Sequence, residues 1–194
     1  MGAVLTRRHL LAGLAGALAL PARADDAALL RELRAGGALL MRHAQTVPGV
    51  GDPPGWRLGQ CSTQRNLDER GIAHAQRLGR WFAAQQLTVA TVRNSPWCRA
   101  RDTARLVFGR HEDWSALGNI FEDRRNADRQ AAEVRRFVRA MKPGELAVLV
   151  SHGSTIGHIV GGDGAGLATG EAVAVRTGGG AAAPLVVLGR LTVP

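Results

Sequence analysis

Lysine is almost absent from this sequence: of 25 basic side chains in 194 residues, Lys142 is the single lysine and the rest are arginines. A Walker A loop needs Gly-Lys-Ser/Thr to hold phosphates, but Lys142 stands between Met141 and Pro143. A Schiff-base lysine must be desolvated to become nucleophilic, and a position just before a Pro-Gly turn does not offer that. Tyrosine is missing and aromatics make up 4%, which removes the stacking platforms that hold single-stranded nucleic acid. There are two cysteines, and no further Cys/His spacing makes them a zinc site. The glycine-rich stretch Gly161 to Gly170 contains no G-x-G-x-x-G, so a dinucleotide fingerprint is not supported.

What is present fits one globular domain, with 45% apolar and 21% charged residues. Thr6-Arg7-Arg8-His9 leads into an apolar run from Leu10 to Leu20, then Pro21-Ala22-Arg23-Ala24. A basic start, a short apolar stretch and an Ala-x-Ala site describe a cleaved secretory signal over residues 1–24, too short for the ~20 residues that span a bilayer. The paired arginines point to twin-arginine export. Cleavage removes Arg7, Arg8 and Arg23 and no acid, so the charge falls from +9 to +6 and residues 25–194 form the working domain. No second apolar stretch of membrane length follows, so no membrane anchor is expected in the mature chain. The expected compartment is periplasmic or otherwise exported. There Cys61 and Cys98 either form a disulfide or remain two buried thiols.

Beyond the signal, strand-length apolar runs alternate with helix-length amphipathic segments. Ala28 to Ala35 reads as a helix and Ala38 to Met41 as a buried strand. Residues 44–66, rich in Gly and Pro, form a long loop of the kind that usually carries function. Asp68 caps a helix from Glu69 to about Gln86, with Ile72, Ala75, Leu78, Gly79 and Phe82 on one face. Thr88 to Arg93 is a strand, and Ser95-Pro96 opens a helix to Phe108. Ile120-Phe121 is a weak strand, Ala127 to Met141 a helix, Leu146 to Val150 a buried strand and Ser154 to Val160 a helix. Glu171 to Arg176 and Leu185 to Val193 form an antiparallel pair. No internal repeat interrupts this order.

Three strands hand over to Arg or His at their carboxyl ends, where open α/β sheets bind ligands. One delivers Arg42-His43, one Arg93 and then Arg99, and one Ser151-His152-Gly153. Guanidinium forks match phosphate oxygens, and histidine near neutral pKa is either an unprotonated nucleophile or a protonated donor. The set suits a phosphoryl group.

Leu39-Leu40-Met41-Arg42-His43-Ala44-Gln45-Thr46 resembles the Leu-x-x-Arg-His-Gly-x-Thr signature of the histidine phosphatase superfamily, the phosphoglycerate-mutase-like fold. Asn66 to Gly71, Ser95-Pro96-Trp97-Cys98-Arg99-Ala100-Arg101-Asp102-Thr103-Ala104, Val148 to Gly153 and Gly170 to Val173 resemble further family segments in the same order. The resemblance implies an α/β three-layer αβα sandwich, with a mostly parallel central sheet and an antiparallel C-terminal strand. It implies that His43 takes the phosphoryl group and that Arg42, Arg99 and His152 bind the phosphate, with His152 protonated and no metal or other cofactor required. The general acid would be Glu122, with Asp123 as runner-up and Asp52, in the long loop, as a third candidate. Ala44 departs from the family glycine, a change expected to be tolerated.

Gly51-Asp52-Pro53-Pro54-Gly55 and Cys61 to Asn66 are similar to the long loop of exported bacterial members that resemble the lipopolysaccharide core heptose-phosphate phosphatase. The implied substrate is a small-molecule phosphate ester or a phosphorylated glycan, and the implied partner of the signal is the export machinery. A catalytically silent phosphate- or phosphosugar-binding protein of the same fold is the alternative. A nucleic-acid binder would rest on charge alone. His74, His111 and His158 read as structural or solvated.

Overall fold

The computed structural model describes residues 24–162, 166–178 and 184–193. The expected export signal lies outside these described residues except for Ala24, where helix α1 (Ala24–Ala35) begins. Five strands follow, β1 (Gly37–Arg42), β2 (Val89–Asn94), β3 (Leu146–Ser151), β4 (Ala172–Arg176) and β5 (Val186–Leu191). The remaining helices are α2 (Glu69–Ala84), α3 (Cys98–Phe108), α4 (Ala127–Ala140) and α5 (Gly153–Val160). The sheet order is β2-β3-β1-β4-β5. Strands β1, β2 and β3 are parallel, and β4 runs antiparallel to both β1 and β5.

Alternation of side chains along each strand divides the core in two. Leu39, Met41, Val148, Val150, Ala172 and Ala174 face α1, α2 and α3. Ala38, Leu40, Ala147, Leu149, Val173 and Val175 face α4 and α5. The central strands are apolar on both faces because helices cover both. This is the expected three-layer arrangement with a mostly parallel sheet.

Several local expectations change. Ile72 is 40% exposed, and Gly71 occupies the buried first turn of α2 instead. A Cβ there would stand 1.9 Å from the Gln45 carbonyl oxygen, so only glycine lets the long loop lie against the helix. The α2 cap is as expected, with Asp68 Oδ1 accepting from Gly71 N–H at 2.7 Å. Helix α3 opens at Cys98, two residues after Pro96. Ile120-Phe121 is not a strand: Ile120 is buried in coil while Phe121 is exposed. Among the described residues no helix is long and apolar enough to cross a membrane.

Candidate active site

The site begins with register. Strands β1 and β3 pair in parallel with Met41 opposite Val150 and Arg42 opposite Ser151, so His43 and His152 leave the sheet side by side. His43 N–H donates to the Ser151 carbonyl at 3.0 Å, and the two imidazole centroids are 5.3 Å apart. On the other side of β3, Ser95 N–H donates to the Val150 carbonyl at 2.8 Å, which brings Ser95 beside His152.

His43 is buried, and its Nδ1–H donates to the Ala44 carbonyl at 2.8 Å. That bond fixes the tautomer and leaves the Nε2 lone pair free. Burial is the main reason its pKa falls to about 3; the charges of Arg99, Arg42 and Arg65 push the same way, against the Ala44 hydrogen bond. The ring is therefore unprotonated at neutral pH, as a nucleophile must be. Ala44 itself is fully buried, with its N–H donating to Thr103 Oγ1 at 2.9 Å.

His152 departs from the protonated state implied above. Burial, then the charges of His43, Arg99, Arg42 and Arg65, drive its pKa well below the ordinary value. Trp97 N–H donates to Ser95 Oγ, and Ser95 Oγ lies 2.8 Å from His152 Nε2. With the ring neutral, the Ser95 hydroxyl donates to Nε2 and Nδ1 carries the proton. Nδ1 is buried with no partner. His152 can thus donate to an anion while neutral.

Both histidines line a cleft of about 360 Å³ together with Arg42, Arg65, Arg99 and the start of α5. Arg42 is held by its Nη1 donating to the Leu167 carbonyl at 2.6 Å. Arg99, on the first turn of α3, is 1% exposed and forms a two-pronged ion pair with Asp52, Nη1 to Oδ1 at 2.7 Å and Nη2 to Oδ2 at 3.2 Å. The Nε atoms of Arg42, Arg65 and Arg99 are buried without partners, like His152 Nδ1. Buried donors left unpaired are costly, and four of them around one cleft, beside a helix N-terminus, describe an anion site. Among the described residues, no group of three His, Cys, Asp or Glu is placed to hold a metal ion.

Arg93 does not join the cleft. It pairs with Glu112 at 3.1 Å and packs over Trp114 and Phe137. His74, His111 and His158 do not line it either, and His158 pairs with Asp128 at 2.8 Å.

The three carboxylates proposed as acid have separate fates. Asp52 is buried on Arg99 and also accepts from Arg65 N–H and the Trp97 indole. Burial alone would raise its pKa, but those donors hold it below the ordinary carboxylate value. Asp123 is turned to solvent on Arg125. Glu122 is not among the residues that line this cleft but lies against Gly51, which is. Its Oε1 accepts from Asp52 N–H at 3.4 Å and its Oε2 from the Trp56 indole at 3.3 Å. Gly51, which lines the cleft at φ +69°, leaves room for it, since a Cβ there would lie 2.7 Å from Glu122 Oε1. Glu122 lines a second cleft of about 310 Å³, which shares Asn119 with the first and is walled by Trp56 and Trp97.

Several bonds fasten the long loop to α3. Cys61 and Cys98 form a disulfide with Cα atoms 5.6 Å apart, which excludes two free thiols. Gln64 Oε1 accepts from Cys98 N–H at 3.0 Å, and Asp52 holds Arg99. Arg65 was not anticipated as a site residue. Its one sequence signal is its place in a loop whose length already suggested function.

Residues 38–117 match the model of the histidine phosphatase superfamily (branch 1). No curated protein matches the chain in sequence. Among solved structures, the protein histidine phosphatase SixA complexed with tungstate superposes with a TM-score of 0.58 at 16% identity, over 80% of this chain and 96% of that one. A phosphoserine phosphatase from Entamoeba histolytica, in complex with 3-phosphoglyceric acid, gives 0.59 at 12% identity, over 81% and 98%. A putative alpha-ribazole-5'-P phosphatase from Escherichia coli gives 0.53 at 18% identity, over 75% and 92%. The chain therefore has the phosphoglycerate-mutase-like α/β fold of these proteins, and over residues 38–117 it carries the sequence pattern of the histidine phosphatase superfamily, branch 1.

Proposed function

We propose that the protein is a phosphomonoesterase that works through a phosphohistidine on His43 and needs no metal. The observation that carries this reading is the fixed, unprotonated His43 ring, its Nε2 free, in a cleft whose four unpaired donors await an anion. Nε2 attacks phosphorus, a P–N bond forms, and the ester P–O bond breaks. Arg42, Arg99 and His152 Nδ1–H stabilise the charge on the non-bridging oxygens. Glu122 gives its proton to the leaving oxygen, then takes one from the water that cleaves the phosphohistidine. Its contact with Gly51, which lines the cleft, favours it over Asp52, engaged by Arg99, and Asp123, engaged by Arg125.

The second cleft would receive the leaving group. Both indole N–H groups are already bonded, to Glu122 and Asp52, so the rings offer faces, with Asn119 and Asn126 beside them. Faces and amides together suit a polyhydroxylated group, hence a sugar phosphate or an envelope glycan phosphate like that of the heptose-phosphate phosphatase. Export, read from residues 1–24, belongs to the same proposal, and the amino-terminal sequence of the mature protein tests it: a start near Asp25 is expected. Hydrolysis of a generic aryl phosphate with EDTA present tests the chemistry. Turnover that vanishes in His43→Ala is expected; no turnover by the wild type would favour the silent binding protein instead.

A further inference from the structure

Arg65 is a partly buried cation with the wrong neighbours for a structural role. A structural arginine is ordinarily satisfied by a carboxylate, yet the partners of Arg65 Nη1 are neutral, Thr46 Oγ1 at 2.7 Å and the Gly49 carbonyl at 3.1 Å. Its Nε is buried and unpaired, and its guanidinium lines the same cleft as Arg42, His43, Arg99 and His152. The nearest carboxylate, Asp52, gives both oxygens to Arg99 and reaches Arg65 only through the backbone N–H. Burial, then the charges of Arg99 and Arg42, lower the Arg65 pKa. Three guanidinium groups thus crowd one cleft with one carboxylate among them, an arrangement that an anion relieves.

We propose that Arg65 is a third phosphate-binding guanidinium that makes the cleft selective for doubly charged phosphomonoesters over singly charged phosphates and diesters. The charge count supplies the reason. Arg42, Arg65 and Arg99 less Asp52 leave two positive charges, with His43 and His152 neutral. A phosphomonoester above its second pKa, about 6, carries two negative charges; a diester carries one. Two further carboxylates lie outside the cleft: Glu122, on Asp52 N–H, and Glu171 beside Arg42, held by Ala168 N–H and Thr192 Oγ1. Removing Arg65 lowers the charge of the cleft to one and takes away the preference. This inference rests on the reading of the cleft as a phosphate site, but not on turnover.

Inorganic phosphate is the probe, its binding measured by calorimetry from pH 5 to pH 8 on the full mature chain. Burial holds both cleft histidines below the ordinary imidazole value, so the ligand's second proton is the main titration expected between these pH values, and a repeat in buffers of different ionisation enthalpy counts any proton the protein takes up on binding. The wild type is expected to bind more tightly as the dianion forms. Arg65→Gln should weaken dianion binding about tenfold while changing monoanion binding far less, the scale of one charge-assisted hydrogen bond. Arg65→Lys, which keeps the charge, should restore most of the preference. Equal loss of both forms in Arg65→Gln would show that the residue merely supports the loop and would overturn the proposal. So would a wild type that binds phosphate equally well at both pH values, a result independent of how any variant folds. A wild type that shows the preference but hydrolyses no aryl phosphate keeps this inference and refutes the proposed activity. Turnover without the preference does the reverse.

Discussion

The cleft has a floor and a wall built on different principles. The floor is the carboxyl edge of β1 and β3, where Arg42, His43 and His152 are placed by strand register and by bonds to adjoining segments, Arg42 to the Leu167 carbonyl, His43 to that of Ser151 and His152 to Ser95. The wall is the loop over residues 44–66, which has one short 3₁₀ turn at Cys61–Thr63 and is held by pairings to α3 across 34 to 47 positions of sequence. The floor is positioned by secondary structure that would form without the site. The wall is held by contacts between residues distant in sequence, one of which, Asp52 on Arg99, also shapes the site.

That contrast predicts two kinds of damage. His43→Ala should lower aryl phosphate turnover by about 10⁴-fold or more, the scale on which loss of a nucleophile is felt, and urea unfolding should show little loss of stability. Asp52→Ala should do the opposite in kind, because it strands a buried arginine. Removing one partner of such a pair costs about 3–5 kcal/mol, read as a lower urea midpoint, with activity falling because Arg99 loses its orientation. Similar stability losses in both variants would erase the distinction.

The disulfide sharpens it. Cys61 is exposed, so a mild reductant can reach the bond. Cys61→Ser should cost about 2–4 kcal/mol and should raise KM more than a floor substitution of equal stability cost, since the released segment carries Gln64 and Arg65. Reduction of the wild type should reproduce the variant. A reduced protein with unchanged KM would mean that Asp52 and Gln64 hold the wall unaided.

Acid separates the two regions on a pH scale. His43 has a native pKa of about 3, below the ordinary 6.5, so the unfolded chain takes up a proton first as pH falls. Its stability contribution is complete above about pH 6.5 and declines below it; by pH 5 the loss is about 2 kcal/mol. Asp52, whose pKa is held down by its donors, contributes above its unfolded value of about 3.9 and loses that contribution only at lower pH. The gap between urea midpoints at pH 7 and pH 5 should therefore narrow in His43→Asn, with His152 keeping a remainder, and stay as in the wild type in Asp52→Asn.

The same division explains what could be read from the sequence. Arg42, His43 and His152 sit where the continuous apolar runs of β1 and β3 stop, and the parallel pairing of those strands puts them on one edge. Arg99 was found through the Ser-Pro-x-x-Arg segment. Arg93 was misassigned because a residue's position at a strand end does not say which face it takes, and here two aromatic rings and Glu112 hold it away from the cleft. Arg65 and the engagement of Asp52 by Arg99 were invisible because their partners are distant in sequence and follow no period. The expectation of a strand at Ile120-Phe121 failed because two apolar residues mark burial, not hydrogen-bonded pairing.

The mildest test reaches the outermost part of the wall, where Trp56 does two jobs. Its ring faces the second cleft, and its N–H holds Glu122. Trp56→Phe keeps a ring face and removes the donor. It should slow esters with poor leaving groups, which need the acid, while sparing aryl phosphates, which hardly do. Trp56→Ala removes both, and should lower kcat/KM for sugar phosphates by a further fivefold or so, an aromatic contact being worth about 1 kcal/mol. A panel of sugar and aryl phosphates reads both effects at once. If the two variants lose the same factor on every substrate, the ring contributes nothing to the leaving group, and the second cleft is no part of the site. If Trp56→Ala alone loses the sugar phosphates, the long loop chooses the substrate while the strand ends perform the chemistry.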